Sequence, residues 1–408
     1  MYNNNNIQNN NLYVFNIDDF HAIHSMHRPV TSTTTDDKHF ATCIAKLVDN
    51  CAPIPIIYQG ILIQNPNNID SNKLCWYLEM NYSGTFDTSY NIKKKQWIAQ
   101  KLVDKNQFDY IEQLTIHVYD DAIQERKEEC SMKEVKMIAL QNMNLHSLTD
   151  YLKAIQTIAN IFSLKDYLLL NIAPVVADWP GQLFIRMAIT HFHLQGNQSS
   201  IPSHVNSFIP ILGPLHVSLN FREKAVMLHH NFFQNLFHFV FGAKKTFAKK
   251  PKPWKINLLL ELASEAWKQI SKTIIQKFGH TCKDIEYRTL IDLLDNIIPA
   301  TLDIYALLFR SGSFNEYIET IFRLWTFALR WRRKNYNKAP LVFLSDYFYW
   351  KDNEHPMAEA LKLYLVNFND YFVENLHSKI RANTNTHDSV ESIITQACII
   401  GKKINLIN

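Results

Sequence analysis

From about Phe221 to Tyr336 the chain reads almost entirely as helix, and a block of that length leaves only the flanking segments to build a sheet. "REKAVMLHHNFFQNLFHFVFG" ends at Gly242 and "WKINLLLELASEAWKQISKTIIQKFG" at Gly279, two glycines placed as helix C-caps. "TLIDLLDNIIPATLDIYALLFRSG" and "FNEYIETIFRLWTFALRWRRK" complete the block. Composition agrees: 9 glycines in 408 residues argue against a tight all-β design, and 47% hydrophobic residues suffice for a sizeable core.

Strand signals come first. Leu12 to Ile17 reads as a strand ending at the acid pair Asp18-Asp19, and "APIPIIYQGILIQ" and "LCWYLEMNY" read as further strands. Helices are predicted near "KKKQWIAQKLV", "SMKEVKMIALQNM" and "SLTDYLKAIQTIANIF", the last with Ser147 as N-cap and Asp150 three residues on. "APVVADWPGQLFIR" follows, a buried strand with Asp178 at its mouth and Pro180 suited to the first turn of the next helix. "SFIPILGPLHVSLN" reads as another buried strand running into His216. The order implies an α/β core with a large helical insertion rather than a Rossmann series.

Six cysteines (43, 51, 75, 130, 282 and 398) form no CxxC pair, so zinc-ribbon spacing is excluded and reduced, structural thiols of an intracellular protein are expected. The start, "MYNNNNIQNNN", is polar low-complexity sequence expected to be disordered rather than a signal peptide. No apolar run approaches the roughly 20 residues of a membrane span. Net charge is only +4, but cations cluster. Lys249, Lys250 and Lys252 lie near Trp254, and Arg330, Arg332, Arg333 and Lys334 lie near Trp331 and Tyr336. Such interleaving suits phosphate contact with base stacking; each cluster alone also reads as solvated helix ends and a loop.

A last long helix is predicted from Pro356, through "HPMAEALKLYLVNFNDYFVENLHSKIRANT". Leu361, Leu365, Phe368, Phe372, Leu376 and Ile380 make one apolar stripe. Asn367, Asp370, Glu374, His377 and Arg381 recur at the same steps on the other side. That polar line is what any amphipathic helix shows on its wet face. Leu363, Val366, Tyr371 and Val373 flank it, so burial on more than one side stays open, and a buried carboxylate needs a partner or a metal.

Three pieces line up: "YVFNIDDFH", "PVVADWPGQLF" and "DYFVENLHSKIRANT". The chain resembles RNase H-fold transposases of the DDE type, and within them a group of transposon-derived proteins of fungi and simple animals. The residues that carry the resemblance are Asp178 with Gln182, Leu215-His216, and Val373-Glu374-Asn375-Leu376-His377-Ser378. The resemblance spans about residues 12 to 390, and the last of these motifs is the most specific. It implies an RNase H-like mixed sheet core in two parts, 12–220 and 356–390, interrupted by an all-helical insertion over 221–355, between tails at 1–11 and 391–408.

The implied activity is DNA strand cleavage or transfer, with three carboxylates holding two divalent metals, Mg2+ or Mn2+. Asp18 or Asp19 would be the first acid, Asp178 the second and Glu374 the third, with Asp18, Asp178 and Glu374 as metal ligands. His216 and His377 would support them, although His216 also reads as a core histidine. DNA is the implied partner, in the nucleus; no membrane or small-molecule cofactor is implied, and self-association is left open. Two departures matter. The position three before His216, where many such enzymes carry an acid or Cys, is Gly213. About a dozen residues without zinc spacing precede the core, which suggests a truncated or domesticated copy. The alternative is a catalytically inactive nuclear protein that keeps the fold and binds DNA or a partner. A third reading is an unrelated α/β protein whose acids are helix caps and wet-face residues.

Overall fold

A computed structural model of the chain describes residues 11–30, 33–67, 69–82, 129–196, 199–385 and 388–406. The asparagine-rich start and the helix predicted at "KKKQWIAQKLV" lie outside them. The chain divides into two compact units. One comprises Met1–Leu74, Glu128–Gly213 and Lys334–Asn408; the other comprises Cys75–Lys127 and Pro214–Arg333.

The first unit holds a five-stranded mixed sheet built from β1 (Leu12–Val30), β2 (Thr33–Val48), β5 (Val135–Asn142), β6 (Ala173–Ala177) and β7 (Phe208–Leu212). Its order is β5-β2-β1-β6-β7. β1 pairs antiparallel with β2, and β2 with β5. β1 pairs in parallel with β6, and β6 with β7. β3 (Ile57–Tyr58) and β4 (Ile61–Leu62) form a separate small hairpin, and Pro55 makes an isolated bridge with Asn171, in place of the strand predicted at "APIPIIYQGILIQ". β6 and β7 are buried along their whole lengths, as parallel strands covered on both faces are.

Period-two alternation decides what each face of β1 meets. Tyr13, Phe15 and Ile17 join the core under α2 (Leu148–Ala159), α3 (Phe162–Leu170) and α4 (Trp179–Gln195). Phe20 points the other way, to Phe372, Val373, Leu376 and Ile380 on α13 (Tyr371–Asn383) and to Ile393, Ala397 and Ile400 on α14 (Val390–Leu406). Residues 391–408, read from sequence as a tail, thus begin as a packed helix.

From Pro214 to Arg333 the second unit is helical: α5 (Pro214–Leu228), α6 (His230–Phe241), α7 (Pro253–Phe278), α8 (Ile285–Asp292), α9 (Tyr305–Arg310) and α10 (Phe314–Arg330). Between α8 and α9 the helix widens into two π turns around Pro299, whose missing N–H cannot continue an α ladder. Gly242 and Gly279 cap α6 and α7 at φ 94 and 75, as their positions in the sequence imply.

Five sequence expectations are corrected. "LCWYLEMNY" is not a strand but most of helix α1 (Ser71–Tyr82); Asp70 accepts from the Lys73 amide, and Leu74, Tyr77 and Leu78 share a buried helical face. "SMKEVKMIALQNM" is not a helix: its good helix formers are overridden by pairing with β2, and they form β5. β1 does not end at Asp18-Asp19, because its pairing with β2 runs on past them. β7 stops at Leu212, and Pro214 opens a helix, so His216 is helical. The last long helix is broken into α12 (Pro356–Tyr364), a short 3-10 turn (Leu365–Asn367) and α13. At the break the Asn369 carbonyl accepts from Asn16 at 2.9 Å, and its side chain accepts from the Tyr371 amide. α11 (Ala339–Asp352) packs on the β7 side of the sheet, where Arg186 of α4 meets Asp346 at 2.7 Å.

Candidate metal centre

The candidate centre lies in the sheet-bearing unit, where the α13 face of β1 meets the ends of β6 and β7. Asn16 is fully buried and ties these parts together. Its amide donates to the Val176 carbonyl of β6 at 3.1 Å and to the Asn369 carbonyl just before α13. The start of α13 is thereby anchored across β1 and β6, with Asp370 as the residue just before the helix and Glu374 in its first turn.

Asp18, two residues beyond Asn16, shares its face. His377, fully buried, brings Nδ1 to 3.9 Å from Asp18 Oδ2 and to 3.9 Å from Glu374 Oε2. Ligand-capable atoms of these three residues all lie within 4.8 Å of one another. Two oxygens on opposite sides of a Mg2+ ion stand about 4.2 Å apart, so the spacing is within reach of a shared cation. His377 Nε2 meets Thr42 Oγ1 at 2.8 Å, and the ring packs on Phe20. A hydroxyl both donates and accepts, so Thr42 supports either tautomer. Nδ1 faces both carboxylates from 3.9 Å, beyond hydrogen-bond distance; a lone pair there can bind a metal, with the proton on Nε2. Arg381 comes within 3.9 Å of Glu374 on the outer side, its guanidinium over Phe20.

Asp178 follows β6, caps α4 by accepting from the Gly181 amide at 3.0 Å, and precedes Pro180 in the helix's first turn. It is not part of the close Asp18–Glu374–His377 group. β1 and β6 align Phe15 with Val175 and Asn16 with Val176, and Asp18 and Asp178 each come two residues further along the chain from the second pair. Tyr151 reports the same crowding. Burial is the main cause that raises its hydroxyl pKa, and the charges of Asp178 and then Asp18, Asp19 and Asp150 add to it.

Asp370 is a site residue that assignment from motifs passes over. It is 1% exposed, and its carboxylate fills the space over Gly213 so closely that a Cβ there would overlap it. Gly213 itself donates to the Ala177 carbonyl at the strand ends. The position that lacks an acid in the sequence therefore has one beside it in space, supplied by the helix. The signal was the polar line on the last helix. Asn367, Asp370 and His377 on that line are buried, so it is not a wet face.

Asp19 belongs elsewhere. Alternation sends it to the opposite face of β1, where its Oδ2 meets His21 and His39. Of the two candidates for the first acid, the geometry therefore favours Asp18. His216 lies on α5 in the helical unit, half-buried, with its carbonyl accepting from Asn220. Lys249, Lys250 and Lys252 are exposed between α6 and α7, and Lys250 lies 3.4 Å from Glu223. Arg330 pairs with Asp292, and Arg333 donates to Asn220 at 2.6 Å. Arg332 and Lys334 are exposed. None of the six cysteines forms a disulfide, and no helix among the described residues is long and apolar enough to cross a membrane. Comparison with known protein families, curated proteins and solved structures gave no match.

Proposed function

We propose that this chain is a transposase-derived protein that cleaves or transfers DNA strands by metal-dependent phosphodiester displacement, with Asp18, Asp178 and Glu374 as its acids. The observation that carries the reading is convergence. Asp18 on β1 and Glu374 and His377 on α13, separated by most of the chain, offer ligand atoms within 4.8 Å of one another. Asp178 ends the strand alongside. Three antiparallel strands continued by two parallel ones are compatible with an RNase H-like core, and the helical second unit is compatible with an insertion.

The donor set is dominated by carboxylate oxygens, which suit a hard cation such as Mg2+ or Mn2+. Asp18, Glu374 and Asp178 would hold it. Bound there, it would acidify a water or hydroxyl and stabilise the leaving oxygen. The chain's own contribution is positional. Thr42 fixes the His377 ring, whose Nδ1 stands 3.9 Å from both Asp18 and Glu374. The α4 cap keeps Asp178 rigid. Arg381 places positive charge beside Glu374, where a strand phosphate would rest. The lysines near Trp254 and the exposed cations around Arg332 supply backbone contacts to DNA, in the nucleus.

The second reading, a catalytically inactive protein that keeps this fold and binds DNA or a partner, is favoured by one feature. Capping by Asp178 and the Thr42 bond of His377 are each sufficient structural roles. The test is nicking of DNA by the purified chain with Mg2+ or Mn2+. Activity that disappears in folded Asp178→Asn and Glu374→Gln variants supports the first reading. Activity that survives in either variant removes the site assignment. A wild type that binds DNA but never cuts it selects the second reading.

A further inference from the structure

On the opposite face of β1 from Asp18, a different donor set gathers. Asp19 and His21 are two residues apart on one strand and so share a face. His39 on β2 stands directly across from His21 in the antiparallel register. Asp19 Oδ2 is 3.2 Å from His21 Nε2 and 3.1 Å from His39 Nδ1, and the two rings are 4.3 Å apart between centroids. His146, in the turn before α2, closes the group with its ring 5.4 Å from that of His39. Its position is set by its own amide, which donates to Asp150, and Asp150 is in turn held by the Ser147 cap. Ligand-capable atoms of Asp19, His39 and His146 lie within 4.8 Å of one another.

We propose that Asp19, His39 and His146, with His21 as a fourth ligand, form a transition-metal site specific for Zn2+ or a similar ion. Four ligands at Zn–N and Zn–O distances of about 2.0–2.1 Å around a tetrahedron stand roughly 3.3–3.4 Å apart. The two Asp19–imidazole separations are already close to that edge. Imidazole nitrogen with one carboxylate is a donor set that takes zinc rather than magnesium, in contrast to the oxygen-rich group on the other face. Access is open on one side: His146 is exposed and the His21 side chain is 40% accessible, whereas those of Asp19 and His39 are 13% and 18% accessible. Two strands and the turn before α2 each contribute ligands, so a bound ion would clamp the β1–β2 hairpin to the start of α2. The site is independent of the proposed DNA chemistry.

The experiment is calorimetric titration of the full chain with Zn2+, together with Co2+ as a spectroscopic probe of tetrahedral geometry. His39→Gln and His146→Gln are compared with the double variant Asp18→Asn/Glu374→Gln. His146 is exposed in a turn, so its variant keeps the fold if His39→Gln does not. One tight equivalent is expected in the wild type and in the Asp18→Asn/Glu374→Gln protein, with a tetrahedral Co2+ spectrum. Affinity should fall in the histidine variants by more than the roughly 10–100-fold that follows loss of a ligand's supporting partner. Unchanged affinity in His146→Gln, absence of tight Zn2+ binding in the wild type, or loss only in the Asp18→Asn/Glu374→Gln protein would each overturn the assignment.

Discussion

A single missing side chain shapes the centre. Gly213 leaves room above the ends of β6 and β7, and the Asp370 carboxylate occupies it. A methyl group there would press on that carboxylate and would stand 2.9 Å from the Ala177 carbonyl. Gly213→Ala is therefore expected to lower stability by about 1–3 kcal/mol, the usual range for overpacking. Part of that loss should vanish in an Asp370→Ala background. A double-mutant cycle by urea denaturation reads the coupling, and strictly additive losses would show that the two residues do not share the space. The adjacent acids Asp18 and Asp19 make a second point at this scale. One step along a strand reverses the face, so identical side chains enter different chemistry: oxygen-rich beside α13, imidazole-rich on the other side.

Helix starts are the elements that carry most of the polar detail. Ser147 caps α2, Asp178 caps α4, and His355 caps α12 by accepting from the Met357 amide at 3.2 Å. His355 is 1% exposed. Burial is the main cause that pushes its pKa down to about 4 from 6.5, with the Pro55 backbone opposing. Protonation would also remove the lone pair that makes the cap. As pH falls, the unfolded chain takes up this proton first. The stability that depends on neutral His355 is thus complete above pH 6.5 and is lost as pH falls to about 4. A shift of that size corresponds to at most about 3 kcal/mol. In His355→Gln the drop in denaturation midpoint over this window should shrink. It should not disappear, because burial also depresses His204 and His229. A drop of unchanged size would acquit His355.

Across the whole molecule, the acids belong to the sheet-bearing unit, and the proposed DNA-binding cations belong mainly to the helical one. Binding and cutting should therefore separate. Replacing Arg332, Arg333 and Lys334 with Gln is expected to weaken DNA binding and to reduce the slope of log K against log salt by about 0.9 for each phosphate no longer neutralised. Zn2+ affinity at Asp19, His39 and His146 should not change. A salt slope equal to that of the wild type would remove this patch from the interface. Arg333 already donates to Asn220, so its share of the effect should be smaller than that of exposed Arg332.

Local chemistry was enough for the helical block with its glycine caps, the Ser147 and Asp178 caps, the buried strands around Val175 and Ile209, and the burial of Leu361, Leu365, Phe368, Phe372, Leu376 and Ile380, though not for the break in their helix. Each is written in a few neighbouring residues, as periodicity or as a side chain that satisfies its own helix end. Local pattern misread "LCWYLEMNY" and "SMKEVKMIALQNM", because aromatic content and helix propensity are weak beside a capping aspartate or a long strand waiting for a partner. It could not choose between Asp18 and Asp19, and it left Asp370 unassigned on a line that looked solvent-facing. Those outcomes depend on which face of β1 meets α13, on where the chain breaks at Asn369, and on the space left by Gly213. All three arise only when segments hundreds of residues apart pack together, since burial and alternation then give each acid its neighbours.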